Sequence, residues 1–573
     1  MEFIQKKTID GAVEYFLPKA AEKDMPLVWD RFEGQLPECG FCETGLSCRD
    51  CLQGPCISHP FRDSNKVGVC GKERDLLAIQ SLLRLVLKGT LTHLDRLSDF
   101  TREIEAGEVT PKHKTQTDHL LKEYQDLLRN GGSQSKKEFP KTWMRRWGET
   151  GILPEGIARD CFKAAQKLEG GVTPMEDILL WSFKSSLLAS LAQWLYGRLK
   201  GAVFGEIAPS AIEINLGGLN REGPNLLLYG HLSPILKRKI AEAAKKQGVR
   251  IMGVCTEPLL PPHSIPIATN YGSQEIPLMT GAIDLIVAGD QAVNPSLANI
   301  AKAFEVPILS IETLRKEKDL GRFARGIVEQ TKKSYDVRRT VPRDLPEVTE
   351  TAMMGFSPDS LEMKQIVLGL QKGLLKGIVI LAGSNNVKYT QDQEMTLMAQ
   401  EFLKKDILCF SKGEASIGLA KYGLLNPNLK EKFCGKGLAE LLSSLGKEVP
   451  SVIDLGGGEG SLVDFLLGLV KTGKKDLREF PIIACFPEGN RSAEVTEAMG
   501  WVAMGLTTYF WPPLPVTGSE KAMDALTQFC SEKFGAKLMI STEKKMEARA
   551  KADWIFKALR GEKGYGISGK PWR

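Results

Sequence analysis

No apolar run in this sequence approaches the roughly 20 residues that a membrane-spanning helix requires. The longest candidate, Leu76 to Leu94, is broken by Gln80, Arg84 and Lys88 and reads as a helix in water. A charge excess is missing as well. The 76 Lys and Arg stand against 70 Asp and Glu, a net +6 over 573 residues, which argues against a nucleic-acid partner and leaves room only for a local basic face. The segment Met1 to Lys7 has no apolar core and no small-residue cleavage site behind it, so no secretory signal is predicted. With 42% hydrophobic and 25% charged residues, the composition is not that of a disordered chain. The length suggests roughly three or four domains. The expectation is a soluble cytoplasmic protein, in which thiols stay reduced and clustered cysteines hold metal more often than they pair as disulfides.

Cysteine is unevenly distributed. Of the 12 cysteines, six fall between Cys39 and Cys70, and none occurs from Phe486 to Phe529. Cys48, Cys51, Cys56 and Cys70 supply the four thiolates that one [4Fe-4S] cube takes from a protein. Gly54 and Gly71 beside them let the backbone bend closely around inorganic sulfide. Tetrahedral zinc would accept the same four ligands. Cys39 and Cys42 are left as half a site, which two copies of the chain in a homodimer would complete.

From about Leu76 to Gly201 apolar residues recur at helical spacing, and strand signals are scarce. From Asn225 the texture changes to short apolar runs followed by glycine or polar residues and then a helical segment, the pattern of a parallel sheet. The runs are Leu226–Tyr229, Ile251–Val254, Ile283–Val287 and Val306–Leu309, then, beyond a charged stretch from Lys332 to Glu350 that reads as a linker, Ile378–Leu381, Ile407–Phe410, Val452–Leu455, Ile482–Cys485 and Leu538–Ile540. The predicted fold class is α/β: a helical domain (1–215) carrying the cysteine segment, followed by two Rossmann-like parallel-sheet domains (216–345 and 346–573). Ligands of open parallel sheets gather past the carboxyl ends of the strands. Those ends hold Gly230-His231, Cys255, Gly289 to Ala292, Ser384 to Asn386, Gly413-Glu414, Gly456 to Ser461 and Glu488. The glycine run at Gly456 also mimics a methyltransferase cofactor loop, but it follows the third strand of its domain where such a loop follows the first.

The run from Glu38-Cys39-Gly40-Phe41 through Cys48-Arg49-Asp50-Cys51, Gly54-Pro55-Cys56 and Gly68-Val69-Cys70-Gly71 resembles the N-terminal signature of anaerobic nickel-iron carbon monoxide dehydrogenases, whose superfamily includes the hybrid-cluster proteins. Lys88-Gly89-Thr90, Tyr229-Gly230-His231, Asp290-Gln291, Ser384-Asn385-Asn386 and Pro515-Val516-Thr517-Gly518-Ser519 continue the resemblance in the same order. It implies that Cys48, Cys51, Cys56 and Cys70 carry a [4Fe-4S] relay cluster. Cys39 and Cys42 would share a bridging cluster across a homodimer, [2Fe-2S] before [4Fe-4S], fed by a ferredoxin-like redox partner.

The family's catalytic cluster takes one His and five Cys. His231 matches the His, and Cys255 matches one Cys. The other positions depart: Ala292, Glu414, and Gly458 or Glu459 stand where Cys is expected, and Glu494 matches a Glu shared with the hybrid-cluster branch. His231, Cys255, Glu414, Glu459 and Glu494 are therefore the candidate ligands of a divergent iron-sulfur or iron-sulfur-oxygen centre, nickel being doubtful, since carboxylates are harder donors than thiolates. His93 matches a proton-transfer His, but Arg96 and Asp99 follow it where further histidines would continue the path. Each residue also has a plain structural reading, as a core histidine, a small strand-end residue or a salt-bridged glutamate. Cys161, Cys409, Cys434, Cys485 and Cys530 read as small buried residues. The expected function is an iron-sulfur oxidoreductase acting on a small molecule, CO or CO2 in the family and hydroxylamine-like reduction as an option. The alternative is an electron-transfer or assembly subunit with an empty pocket.

Overall fold

The computed structural model describes residues 6–59, 66–132, 135–169, 171–311, 319–456, 460–541 and 546–561. Two long helices, Arg74–Glu105 and Met175–Phe204, form the centre of the N-terminal part, with Lys114–Asn130, Lys141–Thr150 and Ile157–Glu169 packed around them. Met175–Phe204 is buried nearly all round. It tolerates that because its buried serines satisfy themselves: Ser182, Ser186 and Ser190 each donate a hydroxyl to the carbonyl four residues back, at 2.9, 3.0 and 3.1 Å. Among the described residues no helix is long and apolar enough to cross a membrane.

The first sheet has seven strands in the order Ile308–Ser310, Leu285–Ala288, Asn225–Tyr229, Arg250–Val254, Ile267–Thr269, Ser210–Ile214 and Glu350–Met354. All neighbours are parallel except the last pair. The second sheet is fully parallel, in the order Val452–Asp454, Ile407–Ser411, Gly377–Leu381, Ile482–Phe486, Thr507–Phe510 and Leu538–Ile540. Numbered along the chain this is 3-2-1-4-5-6, the doubly wound order whose crevice opens where the strand order reverses. The α/β class expected from the sequence is the fold observed.

All nine apolar runs form strands, within two residues at their starts. Four strands of these two sheets escaped the sequence reading. Ser210–Ile214 and Glu350–Met354 alternate in burial, so neither shows an apolar run, and they join the first sheet from the segments on either side of 216–345. Ile267–Thr269 is too short to register, and Thr507–Phe510 opens on two threonines. The expected linker is partly wrong as well. Its first residues continue the Leu320–Arg338 helix, whose charges other than Arg338 face solvent while Ala324, Ile327, Val328 and Thr331 are buried. Arg338 closes that helix by donating to the carbonyls of Ile283, Phe304 and Glu305.

The helical layer and the second sheet share one hydrophobic core. Their junction is a close helix crossing. The helix Ser492–Met504 packs on both long helices. Thr496 Oγ1 donates to the Val86 carbonyl at 2.9 Å, and Thr90 Oγ1 donates to the Ser185 carbonyl at 3.1 Å. A Cβ on Gly89 would overlap Thr496 Oγ1 and the Ser492 carbonyl. The Lys88-Gly89-Thr90 motif is thus a packing motif that sets where the next turns of its helix point.

A buried polar network ties the remaining pieces together. Lys421 lies 2.7 Å from Asp10 and 3.5 Å from Asp392, so it joins the N-terminal segment to the second sheet. Glu488, just past strand Ile482–Phe486, accepts from Asn385 Nδ2 at 3.1 Å and from the Asp392 N–H at 3.3 Å. Burial, and then Asp392, push its carboxyl up to about 8.

Two outcomes follow from this packing. Gly89→Ala should cost about 1–3 kcal/mol through overpacking at the crossing and lower the thermal midpoint; an unchanged midpoint would contradict the close approach. Glu488 is raised above its ordinary value of 4.5 to about 8, so its favourable contribution is full below the ordinary value and is lost as pH rises through the folded one. Glu488→Gln cannot ionise, and its thermal midpoint should gain on the wild type between pH ~5 and ~8; parallel midpoint-against-pH curves would reject the assignment.

Candidate functional site

Cys48, Cys51, Cys56 and Cys70 line one cavity of about 160 Å3, together with Asp50, Gly54, Gly68 and Lys72. A two-residue ladder starts it: Ser47–Cys48 pairs antiparallel with Cys56–Ile57, placing Cys48 opposite Cys56. Cys70 arrives from a tight turn in which Gly68 N–H donates to the Lys72 carbonyl at 2.8 Å and Gly71 takes φ +85°. The Val69 N–H points at Cys56 Sγ, 3.4 Å away. Asp50 beside them is held by Arg84 at 2.6 Å and Lys72 at 3.3 Å. Burial pushes the Cys48 thiol up, against the Asp50 N–H and with the Asp50 carboxylate.

Cys39 and Cys42 flank and occupy the short helix Gly40–Glu43 and are exposed. The Cys42 N–H and thiol hydrogen-bond Cys39 and hold its thiol below the usual range. This segment is clamped to the rest of the molecule. Lys388 lies 2.6 Å from Glu38 and 2.9 Å from Glu43. Gly45 takes φ +82°, where a side chain would run into the Pro515 carbonyl, and the Gly518 N–H donates to the Thr44 carbonyl at 3.0 Å. The Pro515-to-Ser519 motif is therefore the seat of the cysteine segment.

A second cavity, of about 150 Å3, unites His93, His231, Cys255, Glu414 and Glu494. His231 follows strand Asn225–Tyr229 through Gly230, and its N–H donates to the Gln291 carbonyl at 3.1 Å. The strand ends here are so close that a side chain on Gly289 would overlap the His231 carbonyl, and one on Gly230 would overlap that of Gln291. Cys255 follows strand Arg250–Val254 in a left-handed turn, φ +54°. Glu414 opens the helix Glu414–Ala420 and accepts the Tyr271 N–H at 3.0 Å. His93 projects from the helix Arg74–Glu105 onto Gln193, at 3.1 Å.

The electrostatics of this cavity are set by burial. Burial pushes His93 down to about 3 despite Glu497 nearby, and it pushes His231 well below its ordinary value with help from Arg96 and Lys237. The Cys255 thiol is driven well above its ordinary value by burial and then by Glu414. Glu414 is itself pushed up to about 7, chiefly by burial. Burial thus favours the uncharged form of both imidazoles and of the thiol.

Glu494 reaches the wall, but its carboxylate is already engaged. It accepts from Ser384 Oγ at 2.6 Å, from the Asn490 and Arg491 N–H groups at 2.7 and 3.2 Å, and from Arg491 Nε at 3.2 Å. That pattern makes it the cap of its own helix rather than an open donor. Glu459 lies outside the described residues. Ala292 lines the cavity at φ +62°, and Cys255 is the one thiol among the described lining residues.

The sequence reading passed over Tyr196, Lys412, Arg491 and Glu497, which also line this cavity. A signal existed for one of them: Glu497 is one turn beyond Glu494. Lys412 sits 2.9 Å from Glu497; burial pushes that carboxyl up, but Lys412, His93 and Gln193 together hold it below its ordinary value. Cys409, Cys485 and Cys530 are buried as expected, whereas Cys161 and Cys434 are only half-buried.

The family model described as Prismane/CO dehydrogenase matches residues 46–129 and 109–545. Carbon monoxide dehydrogenase 1 of Carboxydothermus hydrogenoformans is 26% identical over 638 residues, covering 98% of this chain and 99% of that protein. Carbon monoxide dehydrogenase 1 of Methanosarcina mazei is 27% identical over 604 residues, with 94% and 95% covered. Among solved structures, carbon monoxide dehydrogenase IV from Carboxydothermus hydrogenoformans superposes with a TM-score of 0.91 at 26% identity, covering 97% of this chain and 99% of that one. The fold, the order of the motifs and these matches over nearly the whole length agree that the chain belongs to the Prismane/CO dehydrogenase family.

Proposed function

We propose that the protein is an iron-sulfur oxidoreductase in which Cys48, Cys51, Cys56 and Cys70 hold a [4Fe-4S] relay cluster and the central cavity binds a small molecule. The observation that carries this reading is the convergence of four thiols on one cavity 22 residues of sequence apart at most, from Cys48 to Cys70. Four cysteines lining one partly open space, an amide aimed at one of them and glycines where the backbone must come close all suit a cube that takes one thiolate per iron. Such a cluster supplies single-electron transfer. Lys72 and Arg84, gathered on Asp50, place positive charge beside it and would favour its reduced form. Cys39 and Cys42, exposed on a clamped helix, suit a bridging cluster shared with a second copy of the chain, open to an external carrier such as a ferredoxin-like protein.

The central cavity offers two imidazoles, His93 and His231, one thiol, Cys255, and several carboxylates, Glu414 among them. That donor set does not fit a nickel-iron-sulfur cluster held by five thiolates, and no step of CO oxidation is assigned to it. His231, Cys255 and Glu414 form a mixed nitrogen, sulfur and oxygen set of the kind iron accepts. His93, hydrogen-bonded to Gln193, lines the cavity with Glu497, which lies 3.8 Å from it. His93 is buried behind the cavity wall, and His231 is half-buried at the strand end.

A second reading, in which the cavity holds no metal and the chain serves as an electron-transfer subunit, is favoured by the engagement of Glu494 as a helix cap. Cysteine variants separate the claims. Cys51→Ser should lose about four irons per chain, or convert the cube to a three-iron form, with the matching loss of absorbance and paramagnetic signal; full iron retention would reject the relay site. Replacing Cys39 and Cys42 together by Ser should remove one cluster per dimer, and an unchanged iron count would reject the bridging site. Cys255→Ser lowers iron only if the central cavity holds it; an equal iron count selects the electron-transfer reading.

A further inference from the structure

Tyr196 enters the wall of the central cavity from the helix Met175–Phe204. Its ring is held on two sides, tilted 5.3 Å from the ring of Phe100 and 6.3 Å from that of His231. The hydroxyl at its tip is buried and has no hydrogen-bond partner. Among the described residues with such an orphaned buried polar atom, Tyr196 is the one that lines this cavity. A buried phenol normally finds a partner, and an unpaired one forfeits its hydration with nothing in return. Packing does not call for the oxygen, because a phenylalanine ring would fill the same place against Phe100 and His231. Burial, and then Glu257, hold this phenol well above its ordinary value of 10, so it keeps its proton and stands as a donor.

The charged groups of the wall are matched within the protein. Lys412 lies 2.9 Å from Glu497, and Arg491 Nε lies 3.2 Å from Glu494. Arg96 Nε donates to the Gln291 amide oxygen at 2.6 Å, and Glu257 is paired with Lys200. Glu414 and Asp454 accept from the Tyr271 and Gly355 N–H groups, both at 3.0 Å, and burial favours their uncharged forms. A charged ligand would therefore give up its hydration without an unmatched countercharge to replace it. An uncharged one needs only a donor. Size agrees with this, since a cavity of about 150 Å3 is well under the roughly 300–1,000 Å3 of sites that enclose larger organic ligands.

From this placement we infer that Tyr196 is a ligand-contacting residue, whose phenol O–H donates to an oxygen or nitrogen atom of a small uncharged molecule held in the central cavity. The inference rests on the proposed reading of this cavity as a small-molecule site. It narrows the ligand class to uncharged hydrogen-bond acceptors, and it gives the orphaned hydroxyl its partner.

The test uses three probes of one size and different charge: formate, formamide and formamidinium. Each is titrated by calorimetry into the anaerobically purified full-length protein at constant ionic strength, with Tyr196→Phe alongside. Formamide should bind saturably at one site per chain and more tightly than either ion, and its affinity should fall about threefold to tenfold in Tyr196→Phe, the loss of one hydrogen bond. Without any probe, Tyr196→Phe should unfold at or above the wild-type temperature, because it removes an unpaired hydroxyl. A lower midpoint would show the phenol to be bonded inside the ligand-free protein and would overturn the inference. So would absence of saturable formamide binding, or wild-type formamide affinity in Tyr196→Phe. Tighter binding of formate or formamidinium would overturn it too, while leaving the cavity a small-molecule site. Iron content of the same samples separates this from the relay reading. Full cluster content without formamide binding sinks the inference alone; Tyr196-dependent binding in a protein that takes up no iron supports it and sinks the relay cluster.

Discussion

The structure depends on one close helix crossing. Gly89, Thr90, Ser185, Ser190, Thr496 and Gly500 let the two long N-terminal helices and the helix Ser492–Met504 approach until hydroxyls bond the neighbouring backbone and a methyl group on either glycine would collide. Small residues, not large ones, do this work, because only they bring backbones close enough for side-chain hydroxyls to reach carbonyls on another helix. Through this contact the helical layer and the second sheet share one core. The same helices then present His93, Arg96, Glu494 and Glu497 to a cavity whose other wall is built from strand ends of both sheets. The position of each of these side chains follows from the crossing a turn or two away.

Two thiol environments in one chain show how composition separates chemical tasks. In the N-terminal segment four cysteines meet around a single space with little else to satisfy. In the central cavity a single thiol meets two imidazoles, a carboxyl pushed up to about 7 and an ion-pair lattice of arginines, lysines and glutamates. Soft, electron-rich ligation is available at the first place and mostly withdrawn at the second. In the proposed reading, electron transport is retained from the family while the centre that uses the electrons is of another kind.

Much of the fold was legible because buried parallel strands are near-continuous apolar runs, and nine such runs became nine strands. Ser210–Ile214 and Glu350–Met354 were not legible, since half of each faces outward and neither carries an apolar run. The glycine-bearing motifs were readable as landmarks but not as mechanics. Only the folded chain shows that Gly45 is seated against Pro515 and that Gly89 lies against Thr496. At the site, strand-end position pointed to His231, Cys255 and Glu414. It could not say that Glu494 is held by four hydrogen-bond donors, nor that Arg96 and Arg491 meet in space, because they are almost 400 residues apart in the chain.

The central claim is that the cysteine segment is loaded while the central cavity does not carry the thiolate-rich nickel cluster. Quantitative iron and nickel determination on anaerobically purified protein, with Mössbauer spectra on the same samples, tests it most directly. The account predicts about five to seven irons per chain, dominated by the [4Fe-4S] signature, and no stoichiometric nickel. About one nickel per chain, accompanied by the additional iron of a third cluster, would contradict it.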